Sequence, residues 1–457
     1  MKSLPPVVTT PSQWQFVQWI ADPLNFLDTC ADRYGDTFMA DLGRRIQIYF
    51  FSHPEAIEQI FTANPQQFDV GRGNKMLWIL WATLGENSLL LLDGKRHSRQ
   101  RQLLMPPFHG ERMRTYGELI CQMTEQVTSV WQPGVPFNIR PFMQTISLQI
   151  ILKTVFGLEE GQRYQEIQQH MLKAIQLTAN RFGFTMSFVP LLQKDFGAWS
   201  PGGKFWRLRQ ETDRLLYNEI ALRREYPDPE RTDILNLLLM ARDEQGQPMT
   251  NEELRDELVT LLVAGHETTA IALSWAMYWI HQLPEVKKPL MAELATLKQP
   301  FNPMEVARLP YLNAVCSEVL RIYPVAFLAQ LRITNVPMTI AGYELEPGSY
   351  LAPCIYLCHR RPDLYPEPDR FNPNRFLEQQ FSAYEYFPFG GSNRRCIGSA
   401  FALFEMKLVL ATILSQHSLR LVDQAPVQPI RRGVTIAPRG AIHFITGLTH
   451  LDDFRGR

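Results

Sequence analysis

The stretch from Thr250 to Gln282 constrains this chain more than any other. Thr250-Asn251-Glu252-Glu253 has the Ser/Thr-x-x-Glu spacing of a capping box, which satisfies two free backbone donors at a helix start. A helical pattern then runs to Gln282, and Pro284 stops it. That is about 32 residues, or roughly 48 Å at 1.5 Å per residue. A helix of that length crosses a whole fold, so the rest of the chain must wrap around it. Its middle reads AGHETT, Ala264 to Thr269, between LVTLLVAG-like and AIALSWAM-like apolar text. Glu267 and Thr268 are thus expected to be buried, and buried polar groups need partners or a purpose. A mid-helix threonine can bond back to the carbonyl four residues earlier, here Ala264, and open the helix locally. Gly265 would allow close approach by a flat ligand.

Around that helix the pattern is mainly α with a small β-rich lobe. Residues 41 to 53 read as short strands before a helix, residues 97 to 300 as mostly helical, and 181 to 205 as a loop between helices. Strands and turns return between 325 and 360. Residues 430 to 447, with GVTIAPRGAIHFITGL, read as a hairpin. No repeat, low-complexity tract or Gly/Ser linker divides the chain, so residues 1–457 are expected to form one domain. Lysine plus arginine equals aspartate plus glutamate at 46 each, which argues against a nucleic-acid or anionic-membrane binder. The N-terminus lacks a signal-peptide core, and no run approaches a membrane span of roughly 20 apolar residues. A cytoplasmic protein with no membrane anchor is expected. Cys354 and Cys358 read as core positions.

Three further pieces carry chemistry. In SEVLRIYP, Glu318 and Arg321 share a helix face, and FNPNRF places Arg375 between two phenylalanines. One glutamate and two arginines could share a bidentate network. The third piece is FPFGGSNRRCIG, which sets Cys396 in a loop of glycines and arginines directly before an apolar helix. A helix N-terminus and nearby arginines favour a thiolate there. Such a cysteine could be a nucleophile or a metal ligand. A single thiolate facing a long helix with a glycine and a threonine suggests a large planar metal cofactor, and haem with an axial cysteine fits.

These pieces, in this order, resemble the cytochrome P450 family of haem-thiolate monooxygenases over nearly the whole chain. The resemblance implies a mainly helical prism with a small β lobe and haem b (iron protoporphyrin IX) between two helices. It implies Cys396 as the axial ligand, Phe389 against the cysteine side of the ring, and Ala264 and Gly265 against the opposite face. By the same likeness Arg394, His97 and Arg101 (in DGKRHSRQRQLL), and also Arg332, would meet the haem propionates. Glu318, Arg321 and Arg375 would be structural. Thr268 and Glu267 would deliver protons to bound oxygen. Ser392 stands where the loop pattern usually has glycine, and Asn374 where the arginine segment often has an acid. His266 would face away from the cofactor.

The implied reaction inserts one atom of O₂ into a C–H bond. NAD(P)H would act only indirectly, through a ferredoxin or flavodoxin with its reductase, docked on Lys95, Arg96, Arg99 and Arg395. The chain is expected to be a monomer. The segments that line substrate space in the family are strongly apolar here and include Trp78, Phe327, Leu328 and Ile436. A long-chain fatty acid, alkane or terpenoid fits such a lining. Arg45 and Tyr49, four apart in an expected strand, could anchor a carboxylate. The alternatives are a peroxide-dependent or hydroperoxide-rearranging enzyme of the same fold, and a non-enzymatic haem-thiolate sensor.

Overall fold

The computed structural model describes residues 4–43, 46–108, 112–157, 161–179 and 185–447. The central helix is Asn251–Gln282, and its capping box is formed. Glu253 N–H donates to Thr250 Oγ1 at 3.1 Å, and Thr250 N–H to Glu253 Oε2 at 2.9 Å. The helix Ile139–Phe156 packs along one side of it and the helix Ser399–Gln416 along another. Two helices, Asn251–Gln282 and Ser399–Gln416, are long and apolar enough to cross a membrane, against the expectation that no run approaches that length. Their most apolar windows are 78% and 61% buried within the fold, which makes them core helices here.

The main sheet has five strands in the order Thr37–Asp41, Gln47–Phe51, Tyr350–Pro353, Arg332–Thr334 and Phe68–Asp69. Only the second and third pair in parallel; the other pairings are antiparallel. The C-terminal reading needs correction. Pro429–Arg432 and Thr435–Pro438 form the hairpin, while His443–Thr446 pairs with Phe137–Asn138 and Leu419–Leu421. The alternation in GVTIAPRGAIHFITGL therefore belongs to two sheets. The loop expected over 181–205 ends early: Ser200 Oγ accepts from Gly203 N–H at 3.1 Å, and with Pro201 at the first turn it starts a helix, Pro201–Glu225. Residues 181–184 lie outside the described residues.

Glu318 and Arg321, on the helix Pro310–Ile322, are fully buried. Arg321 Nε and Nη2 donate to Glu318 Oε2 and Oε1 at 2.6 and 2.9 Å, and Arg375 Nε reaches Oε1 at 3.2 Å. Arg321 Nη1 also donates to the His359 carbonyl at 2.8 Å. His359 Nε2 in turn accepts from Phe387 N–H at 3.0 Å, at the start of the cysteine loop. Burial, reinforced by the Arg321 charge, pushes His359 down to about 3, so the ring is a neutral acceptor.

Two predictions follow from these buried groups. Glu318→Gln strands two buried guanidinium groups and should lower the unfolding free energy by about 3–5 kcal/mol in urea titration. His359 and His281 are both pushed down to about 3, far below the unfolded value of roughly 6.5. The unfolded chain then binds protons that the folded chain refuses. Stability present above that unfolded value should fall by about 1.4 kcal/mol per pH unit for each ring as pH drops below 6.5, read from melts between pH 7 and 5.

Candidate functional site

Burial along the central helix is nearly continuous from Leu254 to Ile280, yet it breaks at one turn. Val263, Gly265 and Thr268 are half-exposed there and Ala264 is exposed. Facing groups at the cysteine loop show the same break: Phe389 and Ile397 are half-exposed and Cys396 is exposed. These breaks in burial mark the surfaces on the central helix and the cysteine loop that a ligand between them would meet. Thr268 Oγ1 donates to the Ala264 carbonyl at 2.6 Å, the back-bond that the sequence suggested.

Gly265 also serves the packing of the central helix. A Cβ there would stand 3.0 Å from Ile151 Cδ1, so the missing side chain makes room for the helix Ile139–Phe156. Glu267 also turns toward that helix. It accepts from Arg140 Nη2 at 2.6 Å and from Gln144 Nε2 at 2.7 Å. His266 is buried with its Nδ1 3.9 Å from Glu267 Oε2. Glu405, on the cysteine helix, is also buried, and desolvation pushes it up to about 8 against a hydrogen bond with Ser147. Ser147 Oγ donates to the Gly265 carbonyl at 3.4 Å.

The cysteine loop is built by close approach. Gly390 has φ +68°, and at Gly391 a Cβ would lie 2.2 Å from the Phe61 ring. Ser392 adopts φ +62°, the left-handed region that disfavours side chains. Cys396 N–H donates to the Phe389 carbonyl at 3.0 Å, and the helix Ser399–Gln416 starts three residues later. Desolvation pushes the Cys396 thiol up, partly offset by Gly398 N–H, Arg101 and Arg395. A coordinated metal cation would favour the thiolate further.

Beside Cys396, three arginines and a histidine gather from three separate parts of the chain. His97 and Arg101 share a face of the helix Gly94–Leu104, Arg332 begins a sheet strand, and Arg394 lies in the loop. Among the described residues Asp93 is the one carboxylate in ion-pair contact with them: its Oδ1 accepts from Arg394 Nη2 at 2.7 Å. Burial, then Arg394 and Arg101, push His97 down to about 3. Burial and Arg394 push Arg332 down to about 9, and burial pushes Arg394 down to about 10 despite Asp93. Arg394 Nε and Nη1 are buried with no hydrogen-bond partner among the described residues. Such a cluster requires anions. Among the described residues no three His, Cys, Asp or Glu side chains form a metal cage. A metal held by one cysteine must therefore bring most of its own ligands, and the adjacent cations suit the carboxylates of a porphyrin.

The remaining sequence candidates do not converge. Arg45 lies outside the described residues. Tyr49 is buried in a cluster with Met39 and Phe51, whereas its strand neighbours Ile48 and Phe50 pack with Phe327, Leu328 and Ile436. Trp78 sits in a third cluster, 5.0 Å from the Phe205 ring. Arg99 is committed to Asp243 at 2.6 Å and Glu253 at 2.8 Å, which removes it from a free basic face; Lys95, Arg96 and Arg395 are exposed. Asp93, Arg140, Gln144 and His359 escaped sequence reasoning. Asp93 precedes the helix that bears His97, and only that position hinted at it.

Fold and site together define a haem-binding oxidoreductase. A family profile described as Cytochrome P450 matches residues 5–444, and the chain belongs to that family. A Mycobacterium tuberculosis protein named cytochrome P450 135B1 is 36% identical over 442 residues, 96% of this chain and 90% of its own. Cytochrome P450 138 of the same organism is 32% identical over 438 residues, 95% and 94% of the two chains. Among solved structures, cyanobacterial CYP120A1 with retinoic acid bound superposes with a TM-score of 0.80 at 24% identity, covering 97% of this chain and 99% of that one. The heme domain of cytochrome P450DA gives 0.81 at 22%, covering 97% and 98%. These two likenesses show the fold. The chain is thus a monooxygenase of the P450 class, which uses haem and draws electrons from NAD(P)H through redox partners.

The loop geometry yields a further prediction. Ser392→Gly should relieve the left-handed strain and leave stability unchanged or raised by up to about 1 kcal/mol. Gly391→Ala should instead drive a methyl into Phe61 and reduce haem retention, read as haem absorbance per protein.

Proposed function

We propose that this chain hydroxylates a lipophilic substrate, with Cys396 as the axial ligand of haem. The observation that carries the reading is the excess of arginines beside Cys396: Arg101, Arg332 and Arg394, with the neutral His97 ring among them, against Asp93 as their one ion-pair partner among the described residues. They would hold the two propionates, with Phe389 on the cysteine side of the ring and Ala264 on the other. Bound haem supplies activation of O₂ for insertion of one oxygen atom into a C–H bond, the thiolate favouring O–O cleavage.

The chain's own residues do the rest. Thr268 would offer its hydroxyl to a water beside it by leaving the Ala264 carbonyl. Glu267, a carboxylate paired with Arg140, would release Arg140 and Gln144, take a proton from solvent and pass it to that water, returning to the carboxylate. The apolar walls would exclude bulk water. The substrate is a long-chain fatty acid, alkane or terpenoid, on the apolar composition of the candidate walls. A ferredoxin or flavodoxin, docked near Lys95, Arg96 and Arg395, would bring electrons to a cytoplasmic, monomeric, single-domain enzyme. Peroxide-driven turnover without any electron donor would instead favour a peroxygenase, and absence of turnover with any lipid a sensor.

Optical titration of the ferric protein with dodecanoic acid, dodecane and a monoterpene tests the substrate class. A saturable spin-state shift with at least one of them is expected; no shift with any would refute a lipophilic substrate. Thr268→Ala should cut product formed per electron by about tenfold or more, with the difference appearing as peroxide.

A further inference from the structure

The helix Trp78–Leu84 lies between the central helix and the helix Pro201–Glu225. Its C-terminal carbonyls would lack partners, as the last turn of any helix does. Two arginines from different helices serve them. Arg209 Nη1 donates to the Ala82 carbonyl, and Arg255 Nη1 to the Leu84 carbonyl at 2.9 Å.

Arg255 does more than cap. It is 2% exposed and contacts Asp213 on the helix Pro201–Glu225 through Nε at 2.6 Å and Nη2 at 2.5 Å. Its Nη1 also reaches Asp256 Oδ1 at 2.9 Å. The Asp256 carboxylate presses on the chain just after the short helix. A Cβ at Gly85, where φ is +92°, would fall 2.1 Å from Asp256 Oδ1. Asn87 donates to Asp256 Oδ2 from its backbone at 2.9 Å and its side chain at 3.0 Å. At the other end, Ile79 N–H donates to Ser187 Oγ at 3.2 Å. Charges within the clamp balance, two arginines against two aspartates, so burial does not strand any of them.

The clamp sits on the same helix as the half-exposed turn. Arg255 precedes Ala264 by nine residues, about 14 Å along the axis. Whatever fixes the short helix to Arg255 therefore fixes it to the turn bearing Ala264 and Thr268.

We propose that Arg255 is a specificity-determining positioning residue: by holding the Leu84 carbonyl, Asp213 and Asp256 together, it sets the distance of the Trp78–Leu84 wall from the haem and so the size of substrate admitted. This rests on the proposed lipophilic substrate and on the family resemblance, which places the segment bearing Trp78 against the substrate. The device touches neither substrate nor cofactor and acts through the wall it fixes.

The test compares imidazole with 4-phenylimidazole as iron ligands of the haem-loaded protein, by optical titration, alongside hydrogen exchange at amides 85–88. In Arg255→Gln, exchange should quicken and the affinity ratio should move toward the bulky ligand by about tenfold, with imidazole itself within about twofold. Asp213→Asn, which keeps the shape and removes one arm, should move the ratio the same way, and serves alone should Arg255→Gln fail to fold. Quickened exchange with an unchanged ratio would overturn the proposal. So would loss of both affinities together, which marks a merely structural residue. Trp78→Ala separates the two readings: if it also leaves the ratio unchanged, the helix is not a wall of the site, and the parent reading of this segment falls as well. A ratio moved by Trp78→Ala but not by the clamp variants would sink the role of Arg255 alone.

Discussion

A carboxylate taken fully out of water must be neutralised where it stands, and Glu318 is the group on which the cysteine side of this protein depends. Arg321 and Arg375 satisfy it, and Arg321 then spends a further donor on the His359 carbonyl. The His359 ring, neutral because it is buried, accepts from Phe387 N–H and stacks on Tyr386. Through those bonds the helix Pro310–Ile322 fixes the start of the loop that ends at Cys396. Position of the thiol is thus set by a chain of buried hydrogen bonds with no freedom to slip, which is what a metal ligand supplied by one residue requires.

The opposite wall follows a different rule. The central helix is buried on nearly all sides, so its few half-exposed residues mark the surface that a ligand would meet. Within that turn the two polar side chains part company: Thr268 folds back on Ala264, and Glu267 crosses to Arg140 and Gln144. The cations beside Cys396 make the complementary statement about charge. Burial disfavours each of them, and their mutual repulsion adds to it, so together they describe the shape of an anionic ligand.

Much of this was legible in the sequence because it depends on local pattern. The capping box at Thr250 and Glu253, the Glu318–Arg321 spacing and the cysteine before an apolar helix are all short-range features, and the structure has each of them. His97 and Arg101 share a helix face for the same reason. Long-range relations were not legible. Nothing in the text near Gly265 says that Ile151 will occupy its missing side chain, or that Arg140 will claim Glu267. The hairpin read over 430–447 was right only in its first half, because alternation shows a strand but not its partner. At Cys396 the two nearby arginines favour a thiolate, as the sequence suggested, and offset part of the desolvation. Tyr49 faces one side of its strand, while Ile436, from a separate hairpin, packs with Ile48 and Phe50 on the other side, a relation between distant segments that the strand period alone could not reveal.

The most direct test of the account is the spectrum of the ferrous protein with carbon monoxide, recorded for the natural chain and for Cys396→His in cells supplied with haem. The account predicts the strongly red-shifted Soret band of thiolate ligation in the natural protein. The variant should lose that band while it still binds haem through His97, Arg101, Arg332 and Arg394. A thiolate band that survives in Cys396→His, or a natural protein that takes up haem without showing one, would contradict it.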